Sequence, residues 1–121
     1  MILERLQHRL TVCKTASVGE IGTDGGFFFL AKTDGEISLV CPTEDVPEKT
    51  TAREDGWRAF RVRGPLDFGL VGILSRLTGV LAERGIGIFA VSTYDTDYIL
   101  VKEEAFDIAA DALTRAGYEV V

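Results

Sequence analysis

Residues 92–101 read "STYDTDYILV" and bring together two aspartates, Asp95 and Asp97, three hydroxyl residues and an aromatic, before running into an apolar tract. A D-x-D pair can hold a divalent cation or activate a hydroxyl. A Ca²⁺ or Mg²⁺ site would draw in further carboxylates, and no loop here has the alternating-oxygen spacing such a site uses, so no metal is expected. Asp95 and Thr96 suit a tight turn between two strands. Asp97 opens an apolar strand, where an unpaired carboxylate is costly. It calls for a cation or a set of donors: an arginine such as Arg61 or Arg63, a run of backbone N–H groups, or the ammonium of a ligand. Catalysis is not indicated. The only histidine, His8, is far away in sequence, and Ser92 has no evident neighbour to activate it. The expectation is therefore no enzyme, no catalytic residues and no cofactor.

A second stretch, "GPLDFGLVGIL" (64–74), carries a strand into a helix across a glycine-rich turn. The N–H groups of a first helical turn lack intrahelical partners, and the helix dipole favours an anion beside them. The stretch lacks the G-x-x-x-x-G-K-[ST] pattern, and Asp67 would repel phosphate. A small carboxylate suits it better, although a capped helix start with nothing bound accounts for the same residues. An anion-seeking turn beside a cation-seeking strand end is what a free α-amino acid requires.

The surrounding periodicities supply the scaffold. "WRAFRVRG" (57–64) alternates, with Phe60 and Val62 on one side and Arg61 and Arg63 on the other, as a half-buried strand does. Leu70, Ile73, Leu74, Leu77, Val80 and Leu81 mark an amphipathic helix over 68–85, with Asp67 as its N-cap and Gly85 just past its end. Gly72 and Gly79 within that span would each cost roughly 1 kcal/mol against alanine, which close backbone approach would offset. "IGIFAVST" (86–93) reads as a central strand covered on both faces, and "DYILVK" (97–102) as the next. Residues 103–117 place Ala105, Ile108, Ala109, Ala112, Leu113 and Ala116 on one helix face, and "YEVV" ends the chain as a strand. The order β-α-β-β-α-β is ferredoxin-like: α+β, with an antiparallel sheet and both helices on one face. The first half reads as a degenerate copy. It has strands at 9–16, 27–32 and 36–42, a first helix reduced to a turn, and a short helix and loop over 43–55. The division expected is 1–56 and 57–121. A sheet with helices on one side leaves its other face to be covered, which points to a homodimer.

Composition sets outer bounds. The chain has 121 residues, 46% of them hydrophobic, and a net charge of −6. The acidic balance argues against nucleic acid and anionic lipid as partners. No apolar run is long enough to span a membrane, and "MILERLQHRL" lacks the apolar core of a secretory signal. Cys13 and Cys41 lie in apolar strand-like runs, as buried free thiols of a cytoplasmic protein do.

"GPLDFGLVGILSRLTGVLAERGIGIFAVSTYDTDYILV" resembles an ACT domain. It is most similar to the paired type found in small bacterial proteins, in the regulatory part of aspartate kinases and in the arginine-sensing CASTOR proteins. The resemblance covers 57–121 closely and the first unit less specifically. It implies two ACT units per chain and a regulatory amino-acid site at the interface between paired units. Gly69, Leu70, Val71, Gly72 and Ile73 match the family's turn and helix start. Gly85 and Ile86 match the entry to the second strand. Thr93, Tyr94 and Asp97 match the "ST-aromatic-x-x-D" element, whose aspartate pairs with the ligand in the arginine sensors. A free amino acid, with basic ones among the candidates, would be the ligand, and a regulated protein the partner. The sensors carry four units in one chain, so this chain would dimerise to match them. A domain of this type that only dimerises and binds no ligand is the alternative. It would need Asp97 to be neutralised from within, by an intramolecular partner such as Arg61 or Arg63.

Overall fold

A computed structural model describes residues 1–121. In chain order the elements are β1 (Ile2–Arg5), β2 (Leu10–Lys14), β3 (Phe29–Lys32), β4 (Ile37–Pro42), β5 (Ala52–Val62), α1 (Ile73–Glu83), β6 (Phe89–Ser92), β7 (Asp97–Lys102), α2 (Phe106–Arg115) and β8 (Glu119–Val120). They form two compact units, one of residues 8–57 and one of residues 1–7 with 58–121. Residues 1–7 thus belong with the second half of the chain, not with the first as the 1–56 and 57–121 division has it. The boundary falls inside β5, after Trp57.

In the larger unit the elements from the end of β5 onward follow the β-α-β-β-α-β order, so the fold is α+β with a ferredoxin-like core. The strands lie in the order β6-β7-β5-β1-β8. β1 therefore separates the first and last strands of the repeat. It runs antiparallel to β5, with Leu3 opposite Val62 and Arg5 opposite Phe60, and parallel to β8. The sheet is antiparallel-rich rather than wholly antiparallel. The charged "LER" of β1 masks its one core residue, Leu3, and so hides this strand in the sequence. β6 pairs only with β7 and is an edge strand, not the central strand its apolar run predicts. Its small Ala90 and Ser92 are exposed while Phe89 and Val91 are half-buried, an alternation that hydrophobicity alone conceals.

Both helices pack on one face of this sheet. Leu3, Phe60, Val62, Ile99 and Val101 rise from the strands to meet Leu77 and Leu81 of α1 and Phe106, Ala109, Ala110 and Leu113 of α2. Phe60 and Phe106 stack at 4.6 Å between ring centroids. The guanidinium of Arg58 lies 4.2 Å above the Phe106 ring, so a cation caps the core at the start of α2. The core face of α2 is set by Phe106, and Ile108, expected inside, is 50% exposed. Each helix ends in a Schellman turn. Gly85 (φ 71°) and Gly117 (φ 103°) take the left-handed position. Ile86 N donates to Leu81 O and Tyr118 N to Leu113 O, each at 3.0–3.1 Å.

The smaller unit is strand-rich, in the order β3-β4-β2-β5, with all neighbours antiparallel. Its core is Cys13, Ile21, Leu39 and Cys41, with Phe28, Ile37 and Val46 against it. Both cysteines are buried and free. Two single 3-10 turns, Val18–Glu20 and Thr43–Asp45, stand where helices would be. The first is the turn the sequence predicts. The second is shorter than expected, and β5 begins at Ala52 inside the segment read as helix and loop. Pro47 and the β-branched pair Thr50-Thr51 oppose a helix there. The hydroxyl of Thr11 donates to Asp55 at 2.7 Å, and Asp55 pairs with Arg53 at 2.9 Å, holding the charged start of β5 in the sheet.

α1 begins five residues later than predicted, so Gly72 is its N-cap, in the left-handed conformation (φ 78°), and not an interior residue. Gly79 is interior, but a Cβ built on it would meet nothing within 4 Å, so no close approach offsets its cost. Gly79→Ala should therefore raise unfolding stability by roughly 0.5–1 kcal/mol in urea titration, through the ordinary helix preference of alanine.

Candidate functional site

The start of α1 and the β6–β7 turn face each other across a cleft of about 340 Å³ in the larger unit. One wall is the loop Leu66–Phe68 with Leu70, Gly72, Ile73, Leu74 and Ser75; the other is the whole turn Ser92–Asp97. That volume is at the lower end of the roughly 300–1,000 Å³ typical of small-molecule sites.

Local hydrogen bonds build both walls. Leu66 N donates to Asp95 O at 2.7 Å and ties the loop to the turn. The buried Thr96 donates its hydroxyl to Val62 O, pinning the turn to the end of β5. Thr93 N donates to Thr96 O at 2.8 Å and closes the hairpin. At Gly64 a Cβ would lie 2.9 Å from Asp95 O and 3.1 Å from both Leu66 N and Thr96 Cβ, so only glycine permits this junction. The close backbone approach expected inside the helix occurs here instead. The Gly64–Pro65 peptide is cis.

Asp67 is not the helix N-cap. Its Oδ1 accepts from Gly69 N at 2.7 Å and its carbonyl from Leu70 N at 3.0 Å, forming a turn ahead of the helix. The helix itself starts with no side-chain cap. Its first intrahelical bond is Arg76 N to Gly72 O at 2.9 Å, leaving the N–H groups of 73–75 at the cleft wall, where an anion is favoured.

Opposite lie the carboxylates of Asp95 and Asp97, and the lining contains no lysine or arginine. Asp97 accepts a hydrogen bond from the Ser92 hydroxyl at 2.6 Å, across the Ser92–Asp97 strand pair. Neither Arg61 nor Arg63 neutralises it. Both turn to Glu4, at 2.9 Å and 3.4 Å. Ser92 has an acidic neighbour that its sequence does not announce, since its hydroxyl donates to Asp97 across the strand pair. His8 is stacked on Phe27 at 4.6 Å in the smaller unit. No group of histidine, cysteine, aspartate and glutamate residues could hold a metal ion.

Of the residues singled out by sequence, Leu70, Gly72, Ile73, Thr93, Tyr94 and Asp97 line the cleft. Gly69 lies in the same loop, with its N–H taken by Asp67, and Val71 is 88% exposed beside the cleft. Gly85 and Ile86 do not belong to it. They form the C-terminal turn of α1, about 18 Å along the helix direction from Ile73, and Ile86 packs on the core. Sequence reasoning missed Phe68, whose ring meets Tyr94 edge-on at 5.0 Å between centroids. Both rings are largely exposed and stand with Leu70 and Val71 as an apolar rim. A lone aromatic beside an expected N-cap gave no periodic signal.

An α+β core with both helices on one face of an antiparallel-rich sheet and a cleft at a strand–helix turn defines a ferredoxin-like type of domain. A family model described as "ACT domain" matches residues 52–115, and the chain belongs to the ACT domain family. It is 32% identical over 110 residues to the "Cytosolic arginine sensor for mTORC1 subunit 1" of Mus musculus, and 30% identical over 96 residues to that of Homo sapiens. The first alignment covers 84% of this chain and 33% of the relative, so the chain spans about a third of those proteins. Among solved structures, protein Atu0741 from Agobacterium tumefaciens is similar with a TM-score of 0.86 and 32% identity, over 99% of this chain and 91% of that one. The aspartokinase alpha and beta subunits share the fold, with a TM-score of 0.65 at 15% identity, over 96% of this chain and 97% of that one. No helix is long and apolar enough to cross a membrane.

The hydrogen bond from Arg61, together with the charges of Arg61 and Arg63, holds the Glu4 carboxyl below its ordinary value of 4.5 against the opposing effect of burial. A depressed carboxyl adds stability that is present above the ordinary value and is lost as pH falls through the folded one. Glu4→Gln should thus lose a few tenths to about 1 kcal/mol at neutral pH. In acid well below 4.5 its urea midpoint should converge on that of the wild type. Gly64→Ala should collapse the cleft wall, read as loss of the amide shifts of Leu66, Asp95 and Thr96 from their native positions in an NMR spectrum.

Proposed function

We propose that this protein is a regulatory ACT-domain module that binds a free α-amino acid in the cleft. The ligand carboxylate meets the uncapped N–H groups at the start of α1, and its ammonium meets Asp97. One observation carries the reading: an anion-favouring helix start and an aspartate without an internal cation line the same small cleft. The three lining aspartates and the absence of a basic side chain favour a basic amino acid, in keeping with the likeness to arginine sensors. Binding is non-catalytic and needs no cofactor.

In this reading the chain carries two ACT units, of which the smaller is degenerate, and works in the cytoplasm as a homodimer. The exposed rim of Phe68, Leu70, Val71 and Tyr94 is the surface a second copy would cover, placing the ligand between units. A regulated partner protein would read the ligand-bound dimer. The dimerisation-only alternative draws support from the same rim but leaves Asp97 without its cation.

A thermal-shift panel of the twenty amino acids at millimolar concentration tests the reading. A ligand at a hundred times its dissociation constant should stabilise the fold by about 2.7 kcal/mol. One amino acid or a few basic ones should raise the melting temperature, and Asp97→Ala should remove the response while leaving the ligand-free melt near that of the wild type. A panel with no stabilising amino acid would reject amino-acid binding.

A further inference from the structure

β6 is the edge of the larger unit's sheet and pairs with β7 alone. The hairpin fixes which of its backbone groups are free. Thr93 N donates to Thr96 O at 2.8 Å, so these two residues form a hydrogen-bonded pair. Along an antiparallel ladder, hydrogen-bonded and non-bonded pairs alternate. Phe89 and Val91, in step with Thr93, therefore bond to Leu100 and Tyr98. Ala90 and Ser92 turn their N–H and C=O groups outward, where no further strand lies. Ile88, just ahead of the strand, has the same parity.

Nothing protects this edge. Sheets ordinarily blunt an open edge with charge, proline, a bulge or extreme shortness. The run from Ile86 to Thr93 has no charged residue and no proline, in a chain of net charge −6. β6 keeps an unbroken register with β7, so it carries no bulge. Ala90 and Ser92 are small and exposed, and a Cβ built on Gly87 would meet nothing within 4 Å, so another strand can approach closely. The other edges differ. β8 has two residues and begins with Glu119, and β3 ends in Lys32.

We propose that two copies of this chain join their β6 strands antiparallel about a two-fold axis at Ala90, so that one sheet runs through both larger units. This specifies the contact of the proposed homodimer, and it rests on that part of the reading and not on the amino acid. An uncharged strand offers no handle to a charged partner, whereas its own copy matches it group for group. Centred on Ala90, the pairing sets Ser92 against the partner's Ile88, and the outward groups from 88 to 92 all find partners. Centred on Ser92, it would crowd together two hairpins that each carry Asp95 and Asp97; centred on Ile88, it would leave Ser92 unpaired. The larger unit has one such edge, so the contact closes at two copies. Continued past the strand ends, the pairing brings the partner's Ile86 up to Tyr94, whose side chain is largely exposed in a single copy. Each amino-acid cleft thereby gains a wall from the other chain.

Sedimentation equilibrium of the full chain, with no amino acid added, tests the contact. The wild type should be a dimer at micromolar concentration. Ala90→Lys and Ala90→Glu each set like charges face to face and should raise the dimer dissociation constant about tenfold or more. Because Ala90 is exposed, both variants should keep the wild-type circular dichroism. An equal mixture of the two should dimerise more tightly than either alone. Hydrogen exchange reads the same contact without a variant: the amides of Ala90 and Ser92 should be protected in the dimer and lose protection on dilution. A monomeric wild type, charged variants that dimerise as tightly as the wild type, a mixture no tighter than its components, or freely exchanging Ala90 and Ser92 amides in the dimer would each overturn the proposal. None of these outcomes depends on a ligand, so failure of this contact and failure of the amino-acid reading are told apart.

Discussion

The hydrogen bond from the Thr96 hydroxyl to the Val62 carbonyl is the tie on which the larger unit's cleft depends. Thr96 is almost fully buried at a turn, where polar side chains ordinarily face water. Removing the donor would leave a strand-end carbonyl without its partner, a cost of about 1–3 kcal/mol when buried. With the tie in place, Asp95 O is set to receive Leu66 N, and the loop ahead of α1 is bound to the hairpin at a second point. The two walls are therefore parts of one hydrogen-bonded frame. Gly64 permits the frame, because any side chain there would occupy the junction.

The electrostatics follow from how few cations reach this region. Glu4, on β1, gathers Arg61 and Arg63. A surface pair of this kind contributes little to stability by itself. Its larger effect is allocation. Two guanidiniums that alternate outward along β5 are engaged away from the cleft, and the aspartates of the hairpin face an uncapped helix start instead of a neutralising arginine.

Much of this was legible in the sequence, and what was not has identifiable causes. The alternation at 57–64 and the helical period after Ile73 were strong enough to fix the element order. The glycines at 85 and 117 marked the helix ends because the Schellman turn needs a left-handed residue there. The helix start was misplaced because Asp67 makes an Asx-type turn to Gly69, whose sequence signature is that of an N-cap. β1 was missed because a strand flanked on both sides needs only one buried side chain, Leu3, to hold it. The family resemblance implied Gly85 and Ile86 as site residues, but the length of α1 separates them from the cleft. For α2, both Phe106 and Ile108 are compatible with a helical stripe. The stacking partner Phe60 decides between them, and that contact is invisible in local sequence.

The position of β1 gives the larger unit a particular order of assembly. Its neighbours, β5 and β8, lie on the far side of some fifty and more than a hundred residues of chain, and the backbone bond from Arg5 N to Val121 O joins nearly the two extremes. The smaller unit is in effect an excursion of the chain between two antiparallel partners. On a ribosome, β1 emerges first and waits with its edges unpaired until β5 and then β8 arrive. Closing so long a loop adds entropy only logarithmically to the cost of the native state, but it slows the search for that state. An interior strand of this sheet, made before its neighbours, is thus paired on its second edge only when β8 arrives.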